Sequence, residues 1–170
     1  IAGSESKLRE GEPRAPKEVV EMAEGISFAA TLVGMKKLEE AERVLREVLR
    51  LDPENKMGLT RFARLLATTK RLDEAVATLR KAIAIYPDSE ELYRNLGWML
   101  INNGRVAEAI DLFSSGLTAM PSSGSLLYVF GYAHFRANHW ATALEALTES
   151  LKHNQGEAKA YYLSGLCQEK

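Results

Sequence analysis

Two sets of side chains in this sequence could carry chemistry. One is three histidines and one cysteine, which could hold a metal or act on a substrate; the other is a group of arginines interleaved with aromatic residues, which could grip another chain. The first set is poorly spaced for catalysis. His134, His139 and His153 contain no pair four residues apart with a carboxylate base, so the helical metalloprotease pattern is missing. Cys167 stands alone, which excludes a disulfide framework and a cysteine-based zinc site. With no histidine grouped beside it, it is expected as a small apolar core residue, and His134 as a packed, hydrogen-bonded one. There is no glycine-rich phosphate loop and no Gly-x-Ser-x-Gly turn. Carboxylates such as Glu39, Glu40, Glu42 and Glu47 fall at positions expected to face solvent. No catalytic residue, metal or cofactor is therefore assigned, and the chain is expected not to be an enzyme.

The second set is drawn from the chain's arginines, tyrosines, tryptophans and phenylalanines. Arginine can hold a carboxylate through two parallel hydrogen bonds, and tyrosine and tryptophan offer rigid apolar area. These types are enriched where proteins bind proteins. Whether they act together depends on the elements that carry them.

Bulk properties narrow the field. With 170 residues, 46% hydrophobic and 26% charged, the chain can bury one continuous core. A net charge of -1 is not that of a coat for nucleic acid or an anionic membrane. No run approaches the roughly 18 apolar residues of a membrane span, and no secretory signal is visible. A reducing, cytoplasmic location is the expectation. The chain opens at Ile1, so a fragment or a processed chain is expected, and a targeting segment could precede it.

The strongest signal is a period. Pro53, Pro87 and Pro121 are 34 residues apart, and so are Ala41, Ala75, Ala109 and Ala143. Glu40, Glu74 and Glu108 precede three of those alanines. Leu45, Leu79, Phe113 and Leu147 follow each alanine by four residues. Apolar residues at helical spacing, as in Ala75, Val76, Leu79, Ala82 and Ile83, predict two antiparallel helices per repeat. The alanine permits a close helix crossing; a larger residue would overpack by about 1–3 kcal/mol. The proline follows the end of the second helix. Asp88 with Glu91 resembles a capping box, and Gly104 suits a helix terminus. Residues 1–15 read as a polar tail, and a helix is expected from Pro16, its apolar face including Val19, Val20, Ala23, Ile26 and Ala30.

This pattern resembles the tetratricopeptide repeat (TPR) family. Repeat three carries it best, in Tyr93, Leu96, Gly97, Leu100, Ala109, Phe113 and Pro121. Repeat two gives Leu59, Phe62, Ala63, Leu66, Ala75, Leu79, Ala82 and Pro87. Repeat one keeps Phe28, Leu32, Ala41, Leu45 and Pro53 but has Gly25 in the aromatic position. Repeat four has Phe130, Gly131, Ala143 and Leu147, and departs at His134 and Gln155. The resemblance implies an all-α, right-handed solenoid over 16–170. Its repeats would span about 22–55, 56–89, 90–123 and 124–157, followed by a last helix, 158–170, that caps the array or starts a further repeat.

The resemblance also implies that the first helices line a concave groove and that Arg61, Arg64, Arg94, Asn95, Trp98, Asn102, Tyr128, Tyr132, Phe135 and Arg136 point into it. That lining holds four arginines against Glu91, more positive than the chain as a whole. The implied function is a non-catalytic adaptor or scaffold, binding a protein or peptide segment with acidic and apolar residues, with no nucleic acid and no membrane insertion. Two alternatives stay open: a bacterial type III secretion-type chaperone, whose relatives usually carry three repeats, and a homo-oligomeric assembly module. The Lys/Asn/Arg clamp by which some TPR co-chaperones hold a terminal carboxylate is not matched here beyond a single asparagine in either register.

Overall fold

The computed structural model describes residues 16–153 and 158–169, with side chains from residue 21 onward. The tail expected over 1–15 and the departure at Gln155 lie outside the described residues. All regular structure among them is helical. The helices are α1 (Pro16–Gly34), α2 (Leu38–Leu51), α3 (Lys56–Thr68), α4 (Leu72–Ile85), α5 (Glu90–Asn102), α6 (Val106–Ala119), α7 (Gly124–Arg136), α8 (Trp140–His153) and α9 (Ala158–Gln168).

The same local devices recur every 34 residues. The turn inside each helix pair passes through the left-handed region at Lys36, Lys70, Gly104 and Asn138, with φ between 60° and 79°. The next N–H then reaches back five residues: Lys37 to the Leu32 carbonyl, Arg71 to Leu66, Arg105 to Leu100 and His139 to His134, at 2.8–2.9 Å. This is the Schellman closure, which satisfies carbonyls that a helix end would otherwise leave open. Gly104 reaches that conformation free of a Cβ clash; the two lysines and the asparagine do not. Between pairs, α2, α4 and α6 each end two residues before Pro53, Pro87 and Pro121. Asn55 and Ser123 cap α3 and α7 by accepting from the Gly58 and Leu126 N–H groups. The expected Asp88–Glu91 capping box does not form. Helix α5 begins at Glu90 behind Ser89, so Asp88 sits one residue too early to reach the free N–H groups, and Ser89 makes no cap bond.

Packing follows the small-and-large alternation. Ala41, Ala75, Ala109 and Ala143 are all 0% exposed. In α5 and α6 the contacts are tightest: the Phe113 ring lies on Gly97 and the Tyr93 ring on Gly116. In α7 and α8, Leu147 lies on Gly131 in the same way. Helix α1 turns Met22, Ile26, Ala29 and Leu32 inward; Ala23, expected on that face, is exposed, because the inward stripe runs one position away.

Each helix touches its chain neighbours, and odd helices also touch the next odd helix: α1 with α3, α3 with α5, α5 with α7, α7 with α9. Even helices show no such backbone proximity to one another among the described residues; α4 and α6 meet through side chains, Arg80 and Glu108 lying 3.6 Å apart. The odd helices therefore form the inner wall of a solenoid and the even helices its splayed outer wall. Ion pairs stitch successive turns together. Arg71 binds Glu74 beside it and Glu42 of the preceding repeat at 2.8 Å. Arg105, 34 residues on, binds Glu108 and Asp73 of its preceding repeat at 2.8 Å. Hydrogen bonds from Arg71 and then Arg46 hold the Glu42 carboxyl below its ordinary pKa.

Candidate partner-binding groove

The inner wall divides into two chemically different halves. The first runs over α1, α3 and α5 as three connected depressions. One, of about 310 Å³, has an apolar floor of Ala30, Val33 and Leu65 with Arg61 and Arg64 beside it. The second, about 380 Å³, lies between Met57, Arg61, Arg64 and Glu91. The third, about 260 Å³, is bounded by Arg64, Ala67, Asn95, Met99 and Asn102. Arg64 borders all three and Arg61 two of them.

Neither arginine forms an ion pair among the described residues, and Arg61 Nε is sealed from solvent without an acceptor. The nearby Glu91 is drawn toward Lys56, 3.9 Å away. Asn95 Nδ2 is likewise buried with no acceptor. Two cations and an amide donor thus border apolar hollows without internal acceptors, an arrangement suited to a carboxylate next to an apolar side chain.

The second half, over α5 and α7, is aromatic and largely satisfied from within. Trp98 packs on Tyr132, ring centroids 4.9 Å apart. Arg136 lies 6.0 Å from the centre of the Tyr132 ring and donates to its hydroxyl at 3.3 Å. Arg94 donates to Ser125 Oγ at 3.2 Å and lies 3.8 Å from Glu90. Tyr128 is only 9% exposed and belongs to the core; Phe135 packs edge-on against Trp140 of α8. So Arg61, Arg64, Asn95 and Asn102 gather around the depressions, and Trp98, Tyr132 and Arg136 form one cluster. Tyr128 and Phe135 face the protein more than the groove. On α9, Tyr162 is 68% exposed.

The residues considered for catalysis are placed apart from the groove's depressions. His134 Nδ1 lies 3.2 Å from His139 Nδ1, and the His134 ring meets Phe130 edge-on. Burial, and then the neighbouring His139, lower the His134 pKa. His153 sits 3.6 Å from Glu149. No group of three metal-binding side chains occurs among the described residues, and no helix there is long and apolar enough to cross a membrane. Cys167 is buried, which pushes its thiol pKa up and away from reactivity. Glu42, expected as a solvated surface charge, instead joins two repeats through Arg71. The signal for this was present in the sequence as Arg71 and Arg105, one period apart and each three residues before a glutamate.

One tetratricopeptide repeat family model matches residues 32–97 and a second matches residues 128–170, together more than half of the chain. Comparison with curated proteins finds no significant sequence match. Among solved structures, PilF of Pseudomonas aeruginosa is similar with a TM-score of 0.72 at 19% identity, over 90% of this chain and 70% of that one. MamA from Desulfovibrio magneticus is similar with a TM-score of 0.68 at 18% identity, over 88% and 84%. YrrB, described as a TPR protein with an unusual peptide-binding site, is similar with a TM-score of 0.63 at 19% identity, over 92% and 83%. At such identities the likeness carries the fold alone. With the 34-residue register, the stacked helix pairs and both family matches in agreement, the chain belongs to the tetratricopeptide repeat family.

Proposed function

We propose that this protein is a non-catalytic interaction scaffold whose domain, over 16–170, holds a segment of a partner protein along the inner wall. The α1–α3–α5 half is the anchoring end. The observation that carries this reading is the pair Arg61 and Arg64, both bordering apolar hollows and neither holding an acidic partner among the described residues. A segment with an Asp or Glu beside an apolar residue would supply both missing elements: an acceptor for the guanidiniums and a side chain for the hollow. Arg94, Asn95 and Asn102 continue the polar track, and the exposed parts of Trp98, Tyr132 and Arg136 form the far end. YrrB, similar in fold, is itself described as a TPR protein with an unusual peptide-binding site, so binding a peptide segment is a use this fold admits.

The test is selection from a displayed library of random peptides, followed by affinity measurement on the selected sequences. The chain should enrich peptides pairing acidic with apolar residues. Arg64→Glu should weaken them at least tenfold, the loss of one good anchor of about 2 kcal/mol or more. Arg43→Glu makes the same charge change on the exposed surface of α2 and should leave affinity unaltered. Equal binding by the Arg64→Glu and unmodified chains would reject the groove reading.

A further inference from the structure

The turn between α7 and α8 departs from its counterparts at two linked positions. His134 stands where the earlier repeats have Leu32, Leu66 and Leu100, all 3% exposed or less. His139 stands where they have Lys37, Arg71 and Arg105. Arg71 and Arg105 each grip an acid beside them and another in the preceding repeat. At the places of those acids repeat four has Thr142, Ala107 and Ile110, so His139 has no such pair to make. It faces His134 instead, the two Nδ1 atoms lying 3.2 Å apart. The backbone fixes this meeting. The chain reverses through Asn138, at φ 61°, and the His139 N–H closes on the His134 carbonyl at 2.9 Å.

Packing alone does not account for an imidazole at position 134. Its Nε2 is sealed inside with no hydrogen-bond partner, beside Phe130, a cost that Leu66 and Leu100 do not incur. Its Nδ1 is the nitrogen turned toward His139, which is exposed. Burial, and then His139, hold the His134 ring in its neutral form, the form that gives a lone pair to a metal ion. The spacing of the two nitrogens fits such an ion. With zinc–nitrogen bonds of about 2.0–2.1 Å, a separation of 3.2 Å corresponds to an angle at the metal of about 100–106°, near the tetrahedral value.

We propose that His134 and His139 bind a zinc ion between their Nδ1 atoms, where the empty pair shares a single proton. No third histidine, cysteine or carboxylate joins them among the described residues, so water completes the coordination and the affinity is micromolar rather than that of a closed structural site. The ion ties the end of α7 to the start of α8 and takes the place of the arginine stitches of repeats two and three. It lies apart from the depressions around Arg61 and Arg64, so its failure and that of the groove reading are separable.

The test is calorimetric titration of the untagged chain, residues 1–170, with zinc chloride at neutral pH, alongside long-range proton–nitrogen spectra of the histidine rings. One zinc ion per chain should bind, the Nδ1 resonances of His134 and His139 should move, and the melting temperature should rise with zinc. His134→Leu and His139→Arg restore the residues that repeats two and three already carry there, so both variants should fold. Each should weaken binding by about tenfold or more and abolish the zinc-dependent rise in melting temperature. His153→Ala, which removes the histidine beside Glu149, should leave binding unaltered. A chain that takes up no zinc, binding undiminished in His134→Leu or His139→Arg, or binding lost in His153→Ala overturns the proposal.

Discussion

Replacing Gly97 by alanine is the sharpest test of the packing described above. A methyl group there would fall within 3.0 Å of three Phe113 ring atoms, Cζ, Cε1 and Cε2, the farthest at 2.8 Å. Ordinary contact begins at 3.4 Å, so even that farthest atom must retreat by about 0.6 Å, and the other two by more. The ring has little space to retreat into, since Phe113 is 0% exposed and its neighbour Ala109 is 0% exposed too. Overpacking of this kind costs about 1–3 kcal/mol, and three simultaneous clashes place it at the upper end. Alanine returns about 1 kcal/mol of helix propensity, so the net loss is about 2 kcal/mol.

Repeat two supplies the cure, because it already carries Ala63 and Leu79 at the corresponding positions, 0% and 1% exposed. Combining Gly97→Ala with Phe113→Leu should therefore recover stability relative to Gly97→Ala alone. Gly165→Ala, on open space, should be neutral or stabilising. Denaturant titrations followed by far-ultraviolet circular dichroism, completed as a double-mutant cycle, measure all of these. A Gly97→Ala variant as stable as the parent, or one made worse by adding Phe113→Leu, would refute the reasoning.

Further outcomes follow from the turns and the ion pairs. Lys70 holds φ 63° where Gly104 holds 79°, so Lys70→Gly should raise stability by about 0.5–1 kcal/mol and Gly104→Ala should lower it by about 1 kcal/mol, both read from thermal melts. Hydrogen bonds from Arg71 and Arg46 depress the Glu42 pKa in the folded chain. Its contribution to stability is therefore present above the unfolded carboxyl pKa and lost as pH falls through the lower folded value. Glu42→Gln should be less stable at neutral pH and show a shallower loss on acidification, and stability curves of equal slope would contradict this.

The repeat fold was legible because its contacts are written as pairs of sizes. A small residue such as Ala109 or Gly97 and a large one such as Phe113 must meet, and a fixed interval repeats the meeting. The groove was less so. Tyr128 occupies the position that Arg94 holds one repeat earlier, yet it is 9% exposed and lies in the core cluster with Val129, so the repeat register alone does not say which side chains stay open. Phe135 finds Trp140 across the turn, a contact the repeat pattern does not encode because repeats two and three carry neither residue there. The Arg71–Glu42 bridge joins residues 29 apart across two repeats, whereas charge reading along one helix sees only neighbours three and four positions away.

The contact pattern of the two walls has a mechanical consequence. Successive odd helices approach backbone to backbone along the inside, whereas successive even helices are linked outside through long side chains, as in Arg71–Glu42, Arg105–Asp73 and Arg80–Glu108. Such an object behaves as a spring with a stiff inner line and a compliant outer one. A small pivot at each inner contact changes the curvature of the whole coil, and no interface has to separate. If the inner wall holds a partner segment as proposed, a thick guest and a thin one would be gripped by the same residues at slightly different pitch, each joint contributing a fraction of the strain.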